Sequence, residues 1–122
     1  MTTLRSPITT HVLDTSLGKP AQGISVALEY QDEFGKWLEL RSGTTNNDGR
    51  IEDLLPSDYK IKAGQYRLTF FTESYFTELG KDSFYPQVAV VFVVHQSTAT
   101  AMEHYHIPLL LSPFGYSTYR GT

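Results

Sequence analysis

The chain has 122 residues, of which 40% are hydrophobic, 19% are charged and 13% are aromatic. This length and composition predict one globular domain, residues 1–122, that buries about two-thirds of the surface exposed by the unfolded chain. The net charge of −3 argues against a nucleic-acid partner, because nucleic-acid-binding surfaces are basic. Cysteine is absent, which excludes disulfides, thiol nucleophiles and cysteine-ligated zinc.

The sequence has no apolar run long enough to cross a membrane as a helix. Its longest run, residues 88–94, has the length of a strand. Residues 1–7 lack the apolar stretch of a secretory signal, and the final Arg-Gly-Thr is not a peroxisomal address. We therefore expect a cytoplasmic protein without a membrane partner.

The first strand pattern places a histidine away from the predicted core. Alternation over residues 8–14 puts Val12 on one face and His11 on the other. His11 shares its face with Thr9 and Leu13. A single strand histidine is usually a packed or surface residue, but a face that mixes leucine with histidine is also typical of a site at an interface.

Turn residues divide the middle of the chain into further short strands. Asn, Asp and Gly in residues 43–49 predict a loop, because these residues tolerate positive φ and bond their own backbone. Arg50 follows this loop directly. The predicted strands are residues 24–30, 36–41, 51–55 and 65–71.

One short helix and one valine-rich strand come next. Thr72 is suited to cap a helix over residues 73–79, which Gly80 ends. Residues 86–94 predict a strand that is buried on at least one face. Residues 95–100 predict a polar turn.

A hairpin with ionisable side chains is predicted for the last nineteen residues. Over residues 104–111, His104 and His106 share one face, while one tyrosine and three aliphatic residues share the other. The Ser-Pro-Phe-Gly sequence that follows is a turn, because proline presets φ at its second position. The returning strand brings Ser117 and Tyr119 alongside the imidazoles. Since chain ends usually fray, so many functional groups indicate a site on this hairpin.

Seven or eight strands, one short helix and no repeat predict an all-β sandwich. Several motifs then match a known pattern in chain order. They are Thr10-His11-Val12-Leu13-Asp14, Asn47-Asp48-Gly49-Arg50, Phe84-Tyr85-Pro86, the segment from His104 to Pro113 and the segment from Tyr116 to Thr122. Together they resemble the 5-hydroxyisourate hydrolase family, transthyretin-like enzymes of purine breakdown, and the resemblance spans the chain.

The resemblance implies a transthyretin-like (prealbumin-like) sandwich of two four-stranded sheets with one short helix. It also implies a homotetramer, a dimer of dimers, with active sites in a channel at the interface. The implied reaction is hydrolysis of 5-hydroxyisourate to 2-oxo-4-hydroxy-4-carboxy-5-ureidoimidazoline in urate breakdown, without a cofactor. The family's catalytic residues fall on His11, Arg50 and His106, and its substrate-binding residues on Ser117, Tyr119, Arg120, Gly121 and Thr122. The family pattern usually ends in serine, whose hydroxyl Thr122 keeps.

The two histidines of the hairpin allow a metal-site alternative. His104 and His106 lie two residues apart on one face, a spacing that could chelate a metal with His11 as the third ligand. The motif contains no cysteine and no carboxylate, so we expect no metal. His106 lies nearer the middle of the strand and is the better catalytic candidate, which leaves His104 in a secondary role.

Hydrolysis of a lactam needs a base for water, a donor for the oxyanion and an acid for the leaving nitrogen. Two histidines and an arginine can supply all three. In this hypothesis one of His11 and His106 is neutral and activates water, while Arg50 binds the planar, anionic substrate. The sequence leaves open which histidine is the base. No Gly-x-Ser-x-Gly elbow surrounds a serine, so a covalent route is not indicated.

Two other classes of function compete with a hydrolase. The transthyretin branch of the fold implies a carrier of small aromatic ligands, which should lack both the His, Arg, His set and the Tyr-Arg-Gly ending. A purely structural β-sandwich has no reason to place imidazoles and arginine around a terminal hairpin. The His, Arg, His set and the Tyr-Arg-Gly ending are both present in this sequence, which favours the enzyme.

Overall fold

The structure, a computed structural model, describes residues 5–96 and 103–122. These residues form nine strands and one helix. The strands are β1 (Ile8–Asp14), β2 (Lys19–Pro20), β3 (Ser25–Gln31), β4 (Trp37–Thr44), β5 (Arg50–Ile51), β6 (Gly64–Phe71), β7 (Val88–Val94), β8 (Tyr105–Ser112) and β9 (Gly115–Thr118), and the helix is α1 (Glu73–Glu78). Within the described residues, no helix is long and apolar enough to cross a membrane.

The strands form two sheets. The first sheet has the order β2-β1-β8-β9, and the second has the order β4-β3-β6-β7. In the first sheet β5 also pairs with β1, so the two-residue strands β2 and β5 share one edge of β1. Strands β1 and β8 run parallel, whereas all other pairs in both sheets are antiparallel. The prediction of an all-β sandwich with one short helix is confirmed, except that β5 makes the first sheet five-stranded rather than four-stranded.

Alternation along the strands separates a core face from an outer face. Val12 of β1 and Leu109 of β8 pair with each other and are fully buried. They join one hydrophobic cluster with residues of the second sheet, such as Leu28 and Phe70, so the core lies between the sheets. Burial of each such side chain contributes about 1.5–3 kcal/mol. The alternate residues of β1 and β8, which include His11 and His106, therefore lie on the outer face, as the strand patterns predicted.

Some predicted elements differ in extent. The strand expected over residues 51–55 ends at Ile51, because Leu54 and Leu55 leave the sheet and enter the core. The valine-rich strand is buried on one face only, since Val91 and Val93 remain 52% and 46% exposed. Of the predicted turn at 95–100, residues 97–100 lie outside the described residues.

The predicted role of Thr72 as the side-chain cap of α1 is wrong. The Thr72 hydroxyl donates to the Tyr85 carbonyl oxygen, 3.2 Å away, rather than accepting from a backbone N–H of the helix. Thr72 is fully buried, so this bond ties the start of the helix to the segment before β7. Gly80, with φ of 70°, ends the helix as predicted.

A buried carboxylate joins the end of β1 to α1. Asp14 is fully buried, and its carboxylate accepts hydrogen bonds from Ser16, from the Leu17 backbone N–H and from the Tyr75 hydroxyl at 2.8 Å. Burial alone would raise the pKa of Asp14, but the hydrogen bonds outweigh it and the net pKa lies below its usual value. Burial and the Asp14 carboxylate raise the pKa of Tyr75.

We expect Asp14→Asn to lower the free energy of unfolding at pH 7 by about 1.5–3 kcal/mol, the usual contribution of a hydrogen bond to a charged group. Because the folded pKa of Asp14 is depressed, this stabilisation is present above about pH 4 and is lost as the pH falls through the folded pKa. Urea denaturation at pH 7 and pH 3 measures the effect of Asp14→Asn on the free energy of unfolding at each pH. The exposed Asp58→Asn is the control and should change stability by less than about 0.5 kcal/mol. An equal effect of Asp14→Asn at both pH values would contradict the prediction.

Candidate active site

The register of the first sheet brings distant residues together on its outer face. His11 on β1 pairs with Arg50 on β5. Two residues earlier on β1, Thr9 pairs with His106 on β8. His106 in turn forms an isolated bridge with Gly121. Since paired residues on neighbouring strands point to the same face, these side chains form one contiguous surface.

A tight loop holds Arg50 against β1. The Asn46 side-chain oxygen accepts from the backbone N–H of Asp48 at 2.9 Å and of Arg50 at 3.0 Å. Gly49 has φ of 72°, and its carbonyl oxygen accepts from the Val12 N–H at 2.7 Å. A Cβ on Gly49 would collide with the Val12 carbonyl oxygen, so glycine is required where the loop meets the strand.

An open cleft of about 460 Å³ lies beside this surface. Its volume is in the usual range of small-molecule sites. The cleft is lined by the cations Arg5 and Arg50, the carboxylates Glu52 and Asp53, the imidazoles His104 and His106, and also Ser6, Thr9, Leu55, Pro56, Ser57 and Thr122. Guanidinium groups beside imidazoles suit a planar ligand with negative charge and several carbonyl groups.

Two imidazoles are connected through one hydroxyl. The Thr9 Oγ1 lies 2.7 Å from His106 Nδ1 and 3.0 Å from His104 Nε2. The other nitrogen of His104, Nδ1, lies 2.8 Å from the Ser6 carbonyl oxygen. The two rings are nearly parallel, with an interplanar angle of 15° and centroids 6.2 Å apart. Thr9 is 93% buried, so these contacts are largely shielded from solvent.

Both candidate catalytic histidines favour the neutral form. Burial lowers the pKa of His106, and the positive charge of Arg50 lowers it further, followed by His104 and His11. Burial and then Arg50 likewise lower the pKa of His11, against a smaller opposing effect of Asp48. Since a neutral imidazole can accept a proton, burial and, after it, the charge of Arg50 keep both side chains available as bases near neutral pH.

The remaining site residues predicted from the sequence lie at different distances from the cleft. Thr122 lines it, and Gly121 lies against the His106 ring. Ser117 is exposed and pairs with Leu110, further along β8. Tyr119 is 58% exposed and lines a second cavity of about 160 Å³.

Arg120 lies against Tyr105 and Glu103. Its guanidinium carbon lies 5.0 Å from the centre of the Tyr105 ring, and Nη2 lies 3.5 Å from a Glu103 carboxylate oxygen. Arg120 also lines the second cavity. The structure therefore brings His11, Arg50, His106, Gly121 and Thr122 together, and it leaves Ser117, Tyr119 and Arg120 outside the main cleft.

Sequence reasoning missed Thr9 and gave His104 only a secondary role. Thr9 precedes His11 by two residues and shares its face, so the strand pattern carried a signal for it. The contacts of Ser6 with His104, and the positions of Glu52 and Asp53 in the cleft, depend on long-range packing that no local pattern contains. Within residues 5–96 and 103–122, no group of three or more His, Asp or Glu side chains is arranged to hold a metal ion.

The fold and the cleft define a transthyretin-like β-sandwich with an imidazole and guanidinium site on the outer face of one sheet. A model of the HIUase/Transthyretin family matches residues 8–121, and the chain belongs to this family. The 5-hydroxyisourate hydrolase of Mus musculus is 49% identical over 123 aligned residues, with all of both chains covered.

Solved structures with the same fold include both branches of the family. The 5-hydroxyisourate hydrolase of Klebsiella pneumoniae is 35% identical, with a TM-score of 0.79 over 96% of this chain and 100% of that chain. Sea bream transthyretin in complex with thyroxine is 32% identical, with a TM-score of 0.87 over 96% of both chains. The fold alone therefore does not separate an enzyme from a carrier.

We expect Gly121→Ala to displace the His106 ring, because a Cβ at residue 121 would lie 2.6 Å from His106 Cδ2 and 3.0 Å from Pro108 Cγ. The sheet should still form, since these contacts lie on its outer face. Chemical shifts of the His106 ring in NMR spectra measure the displacement. Gly115→Ala is the matched control, because its Cβ would meet only Ser112 Oγ at an ordinary 3.7 Å. Unchanged His106 shifts in Gly121→Ala would contradict the prediction.

Proposed function

We propose that this protein is a hydrolase that converts 5-hydroxyisourate to 2-oxo-4-hydroxy-4-carboxy-5-ureidoimidazoline in urate breakdown, with residues 1–122 as one catalytic domain. The observation that carries this proposal is a cleft lined by Arg50 and His106, with His11 paired to Arg50 on the neighbouring strand. The family membership and the 49% identity to the mouse hydrolase support it.

The three side chains can perform the chemistry without a cofactor. A neutral imidazole takes a proton from water, the resulting hydroxide bonds to a ring carbonyl carbon, and the carbonyl oxygen becomes an oxyanion. Arg50 binds the anionic substrate and stabilises the oxyanion. The C–N bond then breaks, and the leaving nitrogen takes a proton from an imidazolium. We assign the role of base to His106, because it lines the cleft. We assign to His11 the role of supporting Arg50 and the substrate.

The carboxyl-terminal residues contribute to substrate binding in this proposal. Thr122 lines the cleft, and Gly121 gives the His106 ring the space it occupies. Ser117, Tyr119 and Arg120 lie outside the cleft of one subunit, so they would meet the substrate only where subunits join. The site residues are thus proposed in two groups, one within a subunit and one at an interface.

The carrier alternative is favoured by solved relatives such as the sea bream transthyretin in complex with thyroxine. The polar lining of the cleft, with two imidazoles and Arg50 beside it, favours the hydrolase. The decay of freshly generated 5-hydroxyisourate can be followed by its ultraviolet absorbance, and the hydrolase should accelerate that decay. Thyroxine is the matched probe for a carrier. Binding of thyroxine without any acceleration would reverse the proposal.

A homotetramer, arranged as a dimer of dimers, is the proposed assembly. Strands β7 and β9 are outer strands of their sheets, and unpaired strand edges are templates for pairing between chains. The half-exposed Val91 and Val93 of β7 add apolar surface. Analytical ultracentrifugation tests the assembly, and a monomer at micromolar concentration would contradict it. The cytoplasm is the proposed location, since a chain without cysteine needs no oxidising compartment.

Alanine at His11, Arg50 or His106 should each lower turnover by about 100-fold or more, the usual effect of losing a catalytic base or an oxyanion donor. The variants should fold, because all three side chains lie on the outer face of the sheet. The ultraviolet decay assay measures turnover. His95→Ala and Arg41→Ala are matched controls, because both residues are exposed and lie away from the cleft. Near-normal turnover in all three site variants would rule out this mechanism.

The rate should fall in acid with a midpoint below pH 6.5, the usual pKa of histidine. The pKa values of His11 and His106 both lie below 6.5, so each imidazole stays neutral until the solution is more acidic than an ordinary histidine requires. Protonation then removes the base, and the rate falls about tenfold per pH unit. Initial rates corrected for spontaneous decay, with circular dichroism at each pH, measure the profile. A loss that begins between pH 8 and 7 would contradict the assignment.

A further inference from the structure

We propose that Thr9 and His104 are positioning residues that fix the tautomer of His106, so that its Nδ1 carries the proton and its Nε2 is the basic nitrogen. This inference rests on the proposed hydrolase function for its catalytic consequence. Its structural content is a chain of hydrogen bonds from Ser6 through His104 and Thr9 to His106.

The direction of donation along this series of hydrogen bonds is set at Ser6. A backbone carbonyl oxygen only accepts hydrogen bonds. His104 Nδ1, 2.8 Å from the Ser6 oxygen, must therefore carry a proton and donate it. In a neutral imidazole one nitrogen is a donor and the other is an acceptor. His104 Nε2 is thus an acceptor whenever His104 is neutral.

The Thr9 hydroxyl passes this direction to His106. A hydroxyl has one proton to donate, and Oγ1 donates it to His104 Nε2, 3.0 Å away. The same oxygen then has only lone pairs for its second neighbour. His106 Nδ1, 2.7 Å away, must donate to it. In neutral His106 the other nitrogen, Nε2, consequently has no proton and is the base.

The surroundings keep the participants in place. Thr9 is 93% buried and pairs with His106 across β1 and β8, so its hydroxyl has little freedom to turn to solvent. The rings of His104 and His106 stack nearly in parallel, and Gly121 lies against the His106 ring. A ring fixed by a hydrogen bond at Nδ1 directs Nε2 in one orientation, which is the function of an orienting group in acid–base catalysis.

Protonation of His104 would reverse the direction of donation along these hydrogen bonds. Both nitrogens of a charged His104 are donors, so Nε2 would donate to Thr9, and Thr9 would donate to His106 Nδ1. His106 would then carry its proton on Nε2 and lose its role as base while still neutral. The charged and titratable groups that face His106 are Arg50, His104, His11 and Glu52, with Arg5 and Asp53 also lining the cleft.

The test uses Thr9→Val and Thr9→Ser in the full-length protein. Valine has the shape of threonine without the hydroxyl, whereas serine keeps the hydroxyl. The ¹⁵N chemical shifts of the His106 ring at pH 8 distinguish a proton on Nδ1 from one on Nε2. We expect Nδ1–H in the native protein and in Thr9→Ser, and a mixture of tautomers in Thr9→Val. Turnover of 5-hydroxyisourate should fall about 10- to 100-fold in Thr9→Val, in kcat rather than KM, with most of the activity kept in Thr9→Ser.

Three results would overturn the inference. The first is an Nε2–H tautomer of His106 in the native protein at pH 8, which needs no variant to observe. The second is an unchanged Nδ1–H tautomer in Thr9→Val. The third is native turnover in Thr9→Val despite a changed tautomer. A native protein with the Nδ1–H tautomer but no turnover of 5-hydroxyisourate would instead refute the proposed function and leave the tautomer assignment standing.

Discussion

The parallel pairing of β1 with β8 is the constraint on which the rest of the structure depends. Seven consecutive residue pairs, from Ile8 with Tyr105 to Asp14 with Leu111, fix the register. Because side chains alternate between faces, a shift by one residue would exchange the core and outer faces of β8. The Thr10 hydroxyl adds a buried bond of 2.6 Å to the Ile107 carbonyl oxygen, which stabilises this register. The position of each imidazole follows from the pairing.

The same pairing explains how one cation affects two histidines. Arg50 extends from β5, and His11 is its direct neighbour on β1. His106 lies one strand further, near enough for the Arg50 charge to lower its pKa. The guanidinium thus adds to the effect of burial in lowering the pKa of both imidazoles, and its positive charge suits the anionic substrate that we propose. The carboxylates Glu52 and Asp53 in the cleft moderate its positive potential.

The features predicted correctly from the sequence are those that depend on local periodicity. A period of two is sufficient to place His11 and His106 on the outer faces of their strands, and the turn before Gly115 is specified by its own residues. The register of β1 against β8 joins residues 97 positions apart, and no pattern in either segment contains it. The hydrogen bonds of Thr9 with both imidazoles could not be predicted for this reason.

Local patterns also failed where the core competes with them. Residues 51–55 alternate well enough to predict a strand, yet Leu54 and Leu55 contribute more by entering the core than by extending the sheet. Thr72 has the residue type of a helix cap, but its burial next to the Tyr85 carbonyl gives its hydroxyl a different acceptor. Arg120, which the family resemblance groups with Tyr119 as a substrate-binding residue, has its guanidinium over the Tyr105 ring. A motif identifies residue types, whereas the pleat decides where each side chain points.

The sequence separation of β1 and β8 has a consequence for folding. During synthesis β1 is made first, and one of its edges has no strand partner until β8 has been added, after more than ninety further residues. Contacts between such distant segments are intrinsically slow to form, and an unpaired edge is exposed to aggregation while it waits. The second sheet, whose strands β3, β4, β6 and β7 are all complete before β8, can assemble earlier. The cleft therefore forms late in the folding of each molecule.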